Sequence, residues 1–140
     1  MKSFKTLFES QQLTIKDTEA GILYYKLIGF VNMELMQVLD KELIEAIRKT
    51  GAKKIITDTR EMKVVATDAQ KYSSENINPT WERLGVKFNA IIMPSNVFGK
   101  WTAKALTEKH EIRTQNSKTG FLINFFETEP DAINWLTEKI

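Results

Sequence analysis

The stretch Ala52 to Gln70 constrains the fold most. It reads as a short buried strand, Lys54-Ile-Ile-Thr-Asp58, with a polar exit at Thr59-Arg60, a loop, and a helix start at Thr67. In open α/β sheets the strand exits are where ligands and partners bind. Asp58, Thr59 and Arg60 are therefore the first candidate recognition residues, with Arg60 able to contact an anion or a partner's carboxylate. On this reading Arg60→Glu is expected to weaken partner capture without unfolding the domain.

The rest of the chain fits that sheet. Leu13 to Lys16 and Ile22 to Ile28 read as a hairpin, with Gly21 in the turn. Asn32 is placed to cap a helix whose stripe is Met36, Leu39, Leu43 and Ile47, widened by Leu35 and Ile44, and Gly51 is placed to end it. Thr67 and Gln70 have the spacing of a capping box, opening a helix to about Asn76. Asn78-Pro79 then breaks the helix and starts a second short piece that ends at Gly85. Lys87 to Met93 is a strand, Val97 to about Ile112 a helix, and Phe121 to Phe126 the last strand. Thr128-Glu-Pro-Asp131 opens a final helix with Ala132, Ile133, Trp135, Leu136 and Ile140 on its apolar face. The order β-β-α-β-α-β-α-β-α predicts an α/β fold: a mixed, mostly parallel sheet flanked by about four helices. The 140 residues suit one domain, with residues 1–12 as an N-terminal arm or edge segment.

Composition narrows the function classes. A net charge of +2 spread along the chain gives no footprint for nucleic acid. The absence of cysteine excludes thiol catalysis, disulfides and thiolate metal sites. His110 is the only histidine, and Glu108 and Glu111 do not share its helix face, so neither a metal site nor a catalytic base is expected. Ser95 and Asn96 follow a strand and suit helix caps. They lack a nucleophile elbow, a Gly-rich phosphate loop or paired carboxylates, which removes serine hydrolase and nucleotide-binding readings. No apolar run is long enough for a signal peptide or a bilayer span, and a cytoplasmic location is expected.

Two further features carry functional expectations. Thr67, at a helix N-terminus beside Asp68, is a candidate phosphorylation site, because phosphate there meets free N–H groups and the positive end of the helix dipole. Tyr72, Ile77, Trp81 and Leu84 would form the apolar face of a flap over a hydrophobic pocket, made mobile by the Asn78-Pro79 break.

Five local strings in this order resemble the SpoIIAA-like branch of the STAS superfamily, from about Leu13 to Ile140. They are Leu27-Ile-Gly-Phe-Val31 before a helix, Ile55-Ile-Thr-Asp58, the helix start Thr67-Asp68, the strand from Lys87 into Pro94, and Phe125-Phe-Glu-Thr-Glu-Pro-Asp-Ala-Ile-Asn-Trp135-Leu136. The resemblance implies a non-enzymatic regulatory domain, without cofactor, that binds an unidentified partner protein and can homodimerise. It places the switch region at Val65 to Ala69, where the family's usual Asp-Ser-Ser/Thr-Gly string is absent. The branch is also similar in topology to lipid-binding CRAL-TRIO domains. That implies the alternative of a carrier or sensor of a small hydrophobic ligand under the Tyr72–Leu84 flap.

Overall fold

The computed structural model describes residues 4–18, 20–94, 111–113 and 121–139. Nine strands are formed among them: β1 (Lys5–Glu9), β2 (Leu13–Asp17), β3 (Ile22–Leu27), β4 (Gly29–Val31), β5 (Lys54–Asp58), β6 (Met62–Val65), β7 (Phe88–Ile92), β8 (Glu111–Arg113) and β9 (Leu122–Phe126). The helices are α1 (Met33–Thr50), α2 (Thr67–Tyr72), α3 (Asn78–Arg83) and α4 (Glu129–Glu138). Seven strands make the main sheet in the order β1-β2-β3-β5-β7-β9-β8, and β4 pairs with β6 in a separate ribbon. The four central strands run parallel, while β1, β2 and β8 are antiparallel to their neighbours. The chain is thus an α/β protein with a mixed, mostly parallel sheet.

Each face of the sheet has its own core. On one face Leu23, Tyr25, Leu27 and Ile55 pack against Leu39, Leu43 and Ile47 of α1 and against Ile77 and Trp81. On the other, Ile22, Tyr24, Ile56, Ala90 and Ile92 pack against Ala132, Trp135 and Leu136 of α4. Alternation of side chains along each strand produces this split, and burial of both sides explains the unbroken apolar runs. The caps of α1 form as expected: Asn32 Oδ1 accepts from the Leu35 N–H at 2.8 Å, and Gly51 takes φ +69° while its N–H bonds the Ile47 carbonyl. Thr128 likewise caps α4, accepting from the Asp131 N–H at 3.2 Å.

Residues Lys5–Glu9, read as an arm or edge segment, form an edge strand with an irregular register between Thr6 and Phe8. Other expectations need correction. The loop before α2 contains β6, whose pairing with β4 was not anticipated. The capping box is not formed: Ala66, not Thr67, is the cap residue, and Gln70 Nε2 donates to the Val65 carbonyl at 2.9 Å. Ala66 is held in extended backbone because its N–H bonds the Val31 carbonyl, continuing the ribbon by one residue. Last, Asn78-Pro79 does not break the helix. Ser73–Ile77 is a π-turn, and the path from Thr67 to Arg83 is one continuous rod. Asn78 is helical (φ −59°, ψ −46°) and its N–H bonds Ser73 O, five residues back. Proline lacks an N–H and its ring clashes with the carbonyl four residues earlier. The wider turn just upstream moves that carbonyl register away and lets Pro79 stay in the helix. The expected helix from Val97 falls largely outside the described residues, but its expected end does not: Glu111–Arg113 are strand β8. Ser95, Asn96 and His110 lie outside the described residues.

Candidate functional site

Asp58 is the last residue of β5 and pairs in register with Lys26 of β3 and Ile92 of β7. Its side chain turns to the α4 face and is 0% exposed. Four hydrogen bonds hold it. The Tyr24 hydroxyl donates to Oδ2 at 2.5 Å, the Arg60 backbone N–H to Oδ1 at 3.1 Å, Arg60 Nε to Oδ1 at 3.0 Å and Arg60 Nη2 to Oδ2 at 2.8 Å. Burial by itself raises a carboxyl, but the Arg60 and Tyr24 bonds and the guanidinium charge outweigh it, so Asp58 sits below the usual carboxylate range. Tyr24 moves the other way: burial raises its hydroxyl, and the bond to Asp58 raises it further. Arg60 is held protonated chiefly by its bonds to Asp58. These shifts move acid and base away from neutrality, whereas proton-transfer catalysis requires values brought towards it.

The strand-exit turn is fixed at other points. Thr59 bonds the Ile92 carbonyl through both its N–H (2.9 Å) and its hydroxyl (2.8 Å). Lys26 pairs with Glu61 beside the Asp58–Arg60 pair. Of the predicted recognition residues, Asp58 is buried, and Thr59 is half-buried with its hydroxyl tied to β7. Arg60 spends two of its donors on Asp58 but keeps 41% of its side chain exposed, leaving three N–H donors free of that pair.

The turn leads directly into the β4–β6 ribbon, which sequence reasoning missed. Phe30 and Val64 are register partners across it, 53% and 59% exposed, while their neighbours Val31 and Val65 turn to the core. Gln12 Nε2 pins β4 by donating to the carbonyls of Ile28 (2.9 Å) and Phe30 (2.8 Å). Thr67 and Asp68, both exposed, follow β6 after a single residue. Arg60, Val64 and Thr67–Asp68 thus follow one another along the chain after β5, with Phe30 joined to Val64 by the ribbon pairing. The available signal was Met62, Val64 and Val65, three apolar residues in an otherwise polar segment.

The four residues expected to line a ligand pocket all pack in or against the core under α1. Ile77 and Trp81 are each 1% exposed and belong to the core under α1, with Trp81 edge-on to Tyr25 at 6.1 Å between ring centroids. The Tyr72 hydroxyl donates to Asp40 Oδ2 of α1 at 2.7 Å, and Leu84 is half-buried. Beside them lies a buried polar pair, the Thr57 hydroxyl donating to Asn89 Oδ1 at 2.8 Å. Two hollows, of about 360 Å³ beside Phe126 and Trp135 and about 130 Å³ beside Phe8 and Glu42, lie away from these four residues. Among the described residues no group of three or more His, Asp or Glu side chains could hold a metal, and no helix is long and apolar enough to cross a membrane.

No protein-family model and no curated protein sequence matches the chain. Solved structures do. An uncharacterised protein of the DUF3478 family with a SpoIIAA-like fold, from Shewanella loihica PV-4, superposes with a TM-score of 0.55 at 18% identity, covering 97% of each chain. The anti-sigma factor antagonist SpoIIAA in its unphosphorylated form gives a TM-score of 0.54 at 11% identity, covering 97% of this chain and 99% of that one. The chain has the SpoIIAA-like fold. At these identities the likeness speaks for architecture alone, consistent with the sequence resemblance.

Proposed function

We propose that this chain is a non-enzymatic regulatory domain that acts by binding another protein through the exit end of its sheet. The observation that carries the reading is the Phe30–Val64 pair, two large apolar side chains side by side and more than half exposed. The β6 strand of their ribbon follows the turn that holds Arg60 and leads to the exposed Thr67–Asp68. An apolar centre with a polar rim is the usual anatomy of a protein contact. The opposed shifts of Asp58 and Tyr24 supply no group poised for catalysis, and Ile77 and Trp81 serve the core, so weight moves from a ligand carrier to protein binding. The SpoIIAA match, named as an anti-sigma factor antagonist, is in keeping with a regulatory role.

The test uses the ribbon rather than Arg60. Asp58 is buried against Arg60, so Arg60→Glu would set two carboxylates together and destabilise the fold, contrary to the expectation from sequence. Phe30→Ser and Val64→Ser alter largely exposed positions and should cost about 1 kcal/mol, the value of one cross-strand pair, with the fold intact. Pull-downs from the native host with wild type and the double variant, quantified by mass spectrometry, should show one or more partners lost. Equal recovery of every partner would refute this surface.

A further inference from the structure

We propose that the π-turn Ser73–Ile77 is a rotational hinge, with the Tyr72–Asp40 hydrogen bond as the latch that holds the N-terminal half of the rod in its present setting. At 3.6 residues per turn, positions five apart on an α-helix differ by about 140°. Tyr72 and Ile77 are five apart, yet Ile77 is in the core under α1 and Tyr72 bonds α1 through Asp40. The π-turn acts as a one-residue insertion and reduces the offset to about 40°. Without it, Thr67 to Tyr72 would be turned by about 100°.

The sequence is adapted to this turn. Side chains take up carbonyls that it shifts: Ser74 Oγ donates to Lys71 O at 3.1 Å, Asn76 Nδ2 to Tyr72 O at 3.3 Å and Thr80 Oγ1 to Asn76 O at 2.7 Å. The two halves are anchored unequally. The lower half has Pro79, which cannot slip into an ordinary helical register, and the buried Trp81, with Ile77 at the junction. The upper half has a single fully buried residue, the small Ala69, with Ala66 and Tyr72 partly buried against the core and the Tyr72 hydroxyl on Asp40. Asp40 Oδ1 is buried with no donor among the described residues, so the latch carboxylate is only half satisfied. Apolar burial smaller than that of the lower half, together with a half-satisfied polar contact, marks a segment that opens locally at lower cost. Because Thr67 and Asp68 ride on the upper half, the hinge would regulate the surface proposed above. That consequence rests on the protein-binding reading; the hinge itself does not.

Hydrogen exchange on the free protein tests the hinge with no partner present. In Tyr72→Phe the amides of Gln70 and Ser73, which bond carbonyls of the upper half, should exchange about ten- to a hundredfold faster, as expected for loss of one hydrogen bond to a carboxylate. Those of Leu84 and Val86, bonded to Thr80 O and Trp81 O, should keep their rates. Asp40→Ala removes the acceptor and should reproduce the pattern. Equal acceleration along the whole rod, or none in either variant, would overturn the hinge. Lost partner capture with unchanged exchange would overturn it too, while leaving the protein-binding reading in place.

Discussion

The buried Asp58–Arg60 pair gives the sharpest stability prediction. Arg60→Met keeps an apolar stem and removes the guanidinium, leaving a carboxylate that is 0% exposed with only the Tyr24 hydroxyl and the Arg60 backbone N–H. Stranding a fully buried charge costs about 3–5 kcal/mol. Two features reduce that here: Asp58 keeps two donors, and the arginine side chain is 41% exposed, so water can replace part of it. A loss of about 2 kcal/mol at pH 7 is expected, a shift of roughly 1 M in the urea midpoint at the slope usual for small domains. The pH dependence identifies the cause. In the wild type Asp58 lies below its unfolded value of about 4, so its contribution is full above that pH and fades as pH falls through the folded value. In the variant the burial remains while the compensating charge is gone, so the folded value rises. Acid then relieves the stranded charge, and the deficit against wild type should shrink as pH falls towards 4. Urea melts at pH 7, 5.5 and 4 measure this. A deficit independent of pH would mean that lost packing, not charge, is responsible, and no deficit at pH 7 would refute the assignment of Arg60 as a structural partner.

Three other outcomes are expected. All three tyrosines are held above the ordinary phenol value: Tyr24 by burial and then Asp58, Tyr25 by burial up to about 12, and Tyr72 by its bond to Asp40. Raised folded values mean that stability persists below about pH 10 and is lost as pH climbs above it, because the unfolded chain ionises first. Phenolate absorbance should therefore appear together with loss of circular dichroism, and gradual titration centred on pH 10 in folded protein would contradict it. Lys54→Met removes an ammonium that bonds the carbonyls of Leu136 at 2.6 Å and Lys139 at 2.7 Å, satisfying the end of α4. It should cost about 1–2 kcal/mol and speed amide exchange in the last turn of α4, and an unchanged urea midpoint would count against it. Gly51→Ala adds a methyl group that meets nothing within 4 Å, so only the left-handed backbone at φ +69° opposes it. A loss of about 1 kcal/mol in thermal or urea melts is expected, and a gain would contradict the αL cap.

Local signals were enough wherever an element is stabilised by its own neighbours. The stripe of α1 appears as read, with Met36, Leu39, Leu43 and Ile47 buried between caps at Asn32 and Gly51. Strands β5, β7 and β9 and helix α4 were legible for the same reason. What escaped depends on distant partners. β6 is four residues long, and its strand pairing comes from β4, more than thirty residues upstream in sequence. The π-turn is stabilised by Ser74, Asn76 and Thr80, residues that otherwise read as helix breakers or caps. Thr67 has the residue type for a cap, but pairing of the ribbon extends to Ala66 and takes that position one residue earlier.

The candidate surface shows the same logic with the roles exchanged. A strand exit ending in Thr-Asp-Thr-Arg reads as a polar recognition edge. Whether a charge recognises a partner or supports the fold depends on what lies within hydrogen-bond reach. Tyr24, thirty-four residues from Asp58 in sequence, supplies the deciding contact. With that hydroxyl and the Arg60 fork on one carboxylate, Asp58 has no capacity left for an external ligand. The polar groups stiffen the turn, and the stiff turn carries the ribbon that turns Phe30 and Val64 outward. Binding specificity at this end would then come from an apolar pair held by a buried ion pair. Disrupting Asp58 should impair partner binding indirectly, in proportion to lost order in the ribbon, whereas Phe30→Ser should impair it with the fold intact.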